Sequence, residues 1–150
     1  MKKIDDFAYG EVKALMDVGE GNYVDSGILA LDPKKPESLV PVILMLKKPG
    51  EILTKSNEFV TAEPQQKLTM KTQTVRFTCA KFVDLVFNKH IVHGDNNGDN
   101  ILVEFWPSKN VKSVELVDWG FPGARYVNVK KLGKVARSDV YQWCTENFVW

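Results

Sequence analysis

The strongest constraint on how this chain can fold is the run His93-Gly94-Asp95-Asn96-Asn97-Gly98-Asp99-Asn100, taken with the segments just beyond it. Two apolar segments, 101–106 and 111–117, come next, and Asp118-Trp119-Gly120 closes the second. Pro107-Ser108-Lys109-Asn110 between them is turn chemistry, so the two segments predict a hairpin. That hairpin brings Asp118 back beside the first run. The pattern is H-x-D-x-x-x-x-N with D-aromatic-G after it, and its residue types are those that phosphoryl transfer requires. One Asp accepts a proton from an attacking hydroxyl. An Asn a few residues on turns back to share a metal ion, and a second Asp bridges metal to phosphates. The work is positioning and charge neutralisation rather than covalent chemistry. Asp95 and Asn100 fit the catalytic roles, and Asn100 and Asp118 fit the metal-binding ones.

Asp, Asn and Gly in a run are also ordinary turn residues. Here four tethered elements agree: His-x-Asp, the Asn five residues after that Asp, the apolar strand, and Asp-Trp-Gly closing another strand. A calcium loop fits less well. Asp95, Asn97 and Asp99 stand at its positions one, three and five, but Asn100 replaces the glycine at six and Trp106 the glutamate at twelve.

The chain has 150 residues, enough for one domain with a real core. A net charge of +1 gives no reason to expect nucleic acid or an anionic membrane as partner. Lys34-Lys35, Lys47-Lys48 and Lys130-Lys131 read as solvated pairs. Cys79 and Cys144 do not make a disulfide framework; both fall in apolar helical patterns and read as buried thiols. No run approaches a membrane span, and the N-terminus is too quickly polar for a signal peptide, so a cytoplasmic setting is expected.

Residues 5–18 predict an amphipathic helix, capped by Asp5 or Asp6, with Phe7, Val12, Leu15 and Val18 near one face and Gly19 and Gly21 at its end. Residues 28–31 and 40–46 read as strands across a turn at 32–38. Pro49-Gly50 breaks the chain, and 51–66 reads as irregular. A long helix is expected over 67–89, with Leu68, Val75, Cys79, Phe82, Val83, Val86 and Phe87 at three- and four-residue steps. A final helix starts near Ser138, a candidate N-cap. The fold class expected is α+β, with a small antiparallel sheet and a mainly helical body.

The H-G-D form and the D-W-G turn resemble the protein-kinase-like superfamily, closest to its aminoglycoside and choline kinase branch and to short fungal kinase-like domains. The resemblance is specific between His93 and Gly120 and touches most of the chain more loosely. It implies Mg²⁺ and ATP as ligands. Glu11 resembles the glutamate of the small-lobe helix, and Gly21-Asn22-Tyr23-Val24 the turn after it. Met45, heading Met45-Leu46-Lys47-Lys48-Pro49-Gly50, resembles the gatekeeper before the hinge, so Glu11 and Met45 would line the cofactor site. Phe121-Pro122-Gly123-Ala124-Arg125-Tyr126 resembles a very short activation segment. Asp139 resembles the large-lobe residue that holds the catalytic-loop backbone. His93 would be a structural pivot near the Asp-Trp-Gly turn, and His90 a helix C-terminal residue.

The departures shape the functional expectation. No glycine-rich loop and no strand bearing a phosphate-binding Lys precede Glu11. Asn97 stands where Lys or His is usual, and Asn96 replaces a residue that is usually apolar. The chain reads as one kinase-like domain cut at both ends, with 1–50 from the small lobe and hinge and 51–150 from the large lobe. A degenerate binding or regulatory module, meeting a protein partner through an exposed apolar face, is the first expectation. An active phosphotransferase completed by another chain or segment is the second. The third is an unrelated α+β domain using Asp95, Asp99 and Asp118 as hard-cation ligands.

Overall fold

The computed structural model describes residues 6–19, 23–35, 37–120 and 124–150. Small open antiparallel sheets and a set of helices make an α+β fold. Helix α1 (Asp6–Val18) buries Ala14, Leu15 and Val18 and ends at Gly19, whose φ of +67° halts a right-handed helix. Asp5, the Phe7 side chain, Gly21, Asn22 and residues 121–123 lie outside the described residues.

Strands β1 (Tyr23–Ala30) and β2 (Leu39–Met45) pair antiparallel, with Ile28 opposite Pro41 and Ala30 opposite Leu39. Strand β1 is longer than its apolar run 28–31 suggests. The hairpin leaves Ile28, Leu29, Leu39 and Leu44 exposed.

Gly50 is required twice over. Its φ is +93°, and a Cβ there would stand 2.8 Å from the Val103 carbonyl oxygen. This close approach lets β3 (Glu51–Ile52) pair with β5 (Ile101–Phe105), which pairs in turn with β6 (Val111–Leu116). The stretch 51–66, expected to be irregular, is therefore ordered. It holds β3, a 3₁₀ turn at Leu53–Lys55, the short helix α2 (Asn57–Val60) and the start of the next helix. Elements of two to four residues are too short to display a period.

Helix α3 (Pro64–Asp84) opens on a proline, which lacks an N–H that the first turn would leave unpaired anyway. It continues into a π-helical turn (Leu85–Lys89) that His90 terminates in a left-handed conformation, φ 56°. Its buried stripe includes Met70, Thr74 and Thr78 as well as Cys79, Phe82 and Val83, and Thr74 bonds its own helix at the Met70 carbonyl, 2.9 Å. Leu68, expected on that stripe, is exposed.

Strand β4 (Ile91–His93) pairs with β7 (Ala124–Tyr126), and α4 (Val129–Leu132), capped by the Asn128 side chain, comes next. Neither strand is anticipated by the sequence pattern. The last helix, α5 (Arg137–Glu146), begins after Ala136 rather than after Ser138. Ala136 has no side-chain acceptor; Asp139 Oδ2 instead receives the Ala136 N–H at 3.3 Å.

One core cluster lies where α1, α3 and the β5–β6 hairpin meet, around Leu15, Met70, Ile101, Leu116 and Trp119. A second joins α3, α4 and α5 around Phe82, Leu132 and the cysteines. There the reading of buried free thiols is corrected: Cys79 and Cys144 form a disulfide, with Cα atoms 5.6 Å apart. Among the described residues no helix is long and apolar enough to cross a membrane.

Candidate functional site

His93 ends β4, is 1% exposed, and organises the loop after it. Its Nδ1 lies 3.0 Å from the Asp95 carbonyl oxygen, and its Nε2 lies 2.9 Å from that of Val117 and 3.1 Å from that of Asp118. Trp119 packs edge-on against the same ring, centroids 4.7 Å apart. His93 thus stands between the loop and the Asp118 turn as the pivot expected from the sequence.

Within the loop, Asn97 Oδ1 accepts the Asp99 N–H at 3.0 Å and starts the 3₁₀ turn Gly98–Asn100. Asn100 Nδ2 donates to Asp95 Oδ2 at 2.8 Å. That bond uses one of the amide's two N–H donors and leaves the acceptor capacity of its oxygen unused by Asp95. The Asn100 carbonyl accepts the Val117 N–H at 2.9 Å, one residue before Asp118. Asp118 is exposed and holds φ at +61°, a conformation uncommon for a residue with a Cβ and one that gathers at functional sites.

Glu11 reaches the same turn from α1. A Cβ at position 120 would lie 3.3 Å from its Oε2. Burial, and then the Asp118 carboxylate, raise the Glu11 carboxyl above its ordinary range. Glu11, Met45 and Asp118 line one cavity of about 340 Å³, with Leu15, Leu116 and Trp119 among its apolar walls. The sequence-expected residues therefore fall into two groups: Glu11, Met45 and Asp118 on the cavity, and Asp95 bonded to Asn100 in the loop. His93 joins them. Asp99 is exposed.

Lys48 also lines the cavity, and it is not the solvated residue its Lys-Lys sequence suggests. It is 8% exposed, with Nζ donating to Glu115 Oε2 at 3.0 Å and to the Leu116 carbonyl at 3.1 Å. Lys81 donates to the same glutamate oxygen at 2.8 Å. Burial opposes ionisation of Glu115, but the two ammonium hydrogen bonds outweigh it and hold the carboxyl below its usual value. The sequence signal for Lys48 is its place just before the Pro49-Gly50 turn, which swings it under β6.

The other side of the loop is held by residues the motif does not include. The Val149 N–H donates to the Asn96 carbonyl at 3.0 Å, and the Gly98 N–H to the Val149 carbonyl at 2.8 Å. Asn96 Nδ2 donates to the Cys144 carbonyl at 3.0 Å. Asp139, expected in the role of loop anchor, is exposed and serves its own helix start.

Asn100 Oδ1 and the Asp118 carboxylate are the hard oxygen donors that Mg²⁺ takes, a metal that keeps several waters. Among the described residues no group of three or more His, Cys, Asp or Glu side chains gathers as metal ligands. The chain matches no family model and no curated protein.

Proposed function

We propose that this chain is a kinase-like module that takes Mg²⁺ and ATP at the Asp118 cavity and acts as a binding or regulatory element with little turnover of its own. The observation that carries the reading is the Asn100–Asp95 hydrogen bond in a loop that His93 ties to Asp118. A chance turn has no need to couple those three positions. Asn100 and Asp118 hold the cation, Glu11 and Met45 flank the nucleotide, and Asp95 faces the acceptor. Lys48 on the cavity wall is held by Glu115 and the Leu116 carbonyl rather than directed at phosphates, so ATP is oriented poorly, and orientation supplies much of the rate in phosphoryl transfer. The partner surface falls on the exposed apolar side chains of the β1–β2 hairpin, a two-stranded unit that is marginal without cover.

One observation favours the second reading, an active phosphotransferase completed from elsewhere. Glu11 and Asp118 oppose each other as like charges, and a cation brought by another segment or chain would relieve both. An ATPase assay on the purified chain tests the module reading. The module reading expects turnover at background. Turnover that disappears in Asp95→Ala would overturn it in favour of the enzyme.

The cytoplasmic setting stands against one feature, since a Cys79–Cys144 bond persists in oxidising compartments and is rare in reducing ones. Alkylation and mass analysis of the native chain reads the state directly: a cytoplasmic chain yields both cysteines alkylated.

A further inference from the structure

The C-terminal residues after α5 and the disulfide under α5 converge on one point of the candidate catalytic loop, and that point is Asn96. Its backbone carbonyl takes the Val149 N–H, and its side-chain amide caps the Cys144 carbonyl. That carbonyl belongs to the last turn of α5, where helix carbonyls have no partner within the helix. The same amide lies 3.6 Å from the Cys144 sulfur. Gly98, two residues on, packs under the Trp150 ring, where a Cβ would come within 3.0 Å of the indole. The kinase-like loop that this one resembles usually has an apolar residue at position 96, and here a hydrogen-bonding one joins the loop to a disulfide-bonded residue.

Beyond the disulfide, α3 and α5 pack through Val75 and Phe82 on one helix and Val140 and Tyr141 on the other. Two grooves flank α5, one of about 570 Å³ beside Leu68, Val75 and Trp150 and one of about 400 Å³ beside Val86, Val92 and Leu132. Phe82 stacks on Trp143 with centroids 5.6 Å apart, but Trp143 is itself exposed. The covalent bond is the tether that keeps the end of α5, and so the Cys144 carbonyl, at a fixed distance from the loop.

We propose that the Cys79–Cys144 disulfide sets the order of loop 95–100, with Asn96 as the positioning residue that couples them. Opening the bond takes two electrons and two protons from a dithiol, which leaves as its cyclic disulfide while the chain keeps two thiols. Both sulfurs are buried, so the dithiol reacts only when α5 lifts from α3. Once reduced, α5 is free to shift, Asn96 loses its acceptor, and the Val149 clamp opens with it. The coupling is a property of the backbone. Its consequence, weaker Mg²⁺ and ATP binding in the reduced chain, rests on the kinase-like reading.

Amide hydrogen exchange on the full chain, oxidised and then reduced with dithiothreitol, tests the coupling. The Gly98 and Val149 amides should exchange at least tenfold faster after reduction, while amides of the β5–β6 hairpin keep their protection. Oxidised Asn96→Ala should show the same acceleration, and reducing it should add less than twofold. Asn96→Asp, which keeps the shape and loses the donor, should behave as the alanine variant does. Unchanged Gly98 and Val149 amides on reduction would overturn the proposal. So would a loss of protection across the whole chain, which would make the bond a global staple, or an undiminished response to reduction in Asn96→Ala. Melting shifts with MgATP on both redox forms keep the two ideas apart. If exchange responds as expected and MgATP shifts neither form, the coupling stands and the nucleotide-binding reading falls.

Discussion

At the scale of single residues, the charges around Asp118 carry opposite signs of pH dependence. Glu11 has its carboxyl raised by burial and by Asp118. A raised carboxyl contributes stability that is fully present below the unfolded value and is lost as pH rises through the folded one. Glu11→Gln should therefore melt progressively higher than the parent as pH climbs through that window. Melting curves that stay parallel from acid to neutral pH would contradict this. Glu115 is the reverse case. Its carboxyl is lowered by Lys81 and Lys48 against burial, so its contribution is present above the ordinary glutamate value and fades as pH falls through the folded one. Glu115→Gln leaves two ammonium groups facing an amide and should lose about 2 kcal/mol at neutral pH, by urea unfolding.

At the scale of elements, the site depends on short pieces held by single contacts. Gly50 admits β3 to the β5 edge, and Gly50→Ala would drive a methyl into the Val103 backbone at a left-handed φ. The loss should be about 1–3 kcal/mol on chemical denaturation; a neutral result would mean that β3 is not docked as described. The elements legible in the sequence are those with room to repeat a pattern. Helix α1, the long α3 and the hairpin of β5 and β6 keep to their apolar spacing within a few residues. Strands β3, β4 and β7 span two or three residues each and exist only because a distant partner pairs with them. Thr74 and Thr78 escape a hydrophobic count although both are fully buried. Cys79 and Cys144 do stand on apolar helical faces, but nothing local says that those faces meet. The same limit applies to the loop: His93, Asp95, Asn100 and Asp118 are set by spacing, whereas Val149 and Asn96 act through a contact made across the fold.

At the scale of the whole molecule, α1 joins α3 and the β5–β6 hairpin in one core. Helix α1 and the β1–β2 hairpin bring Glu11 and Met45 to the cavity, and the helical body brings the loop and Asp118. Tyr126 on β7 adds a link to α1, donating to Asp17 at 2.6 Å. The cavity is lined by apolar side chains together with Glu11, Asp118, Lys47 and Lys48. On the proposed reading this cavity binds Mg²⁺ with ATP through Asp118, with Asp95 directed at the acceptor rather than the metal. A ligand that binds only the folded state raises the melting temperature by mass action, by about 2.7 kcal/mol in stability at a hundredfold excess over its dissociation constant. The decisive measurement is a melting series with Mg²⁺ and ATP together and apart on the parent chain, Asp118→Ala and Asp95→Ala. The expected result is a shift with Mg²⁺ and ATP together that is lost in Asp118→Ala and kept in Asp95→Ala. No shift in the parent, or an equal shift in Asp118→Ala, would contradict it.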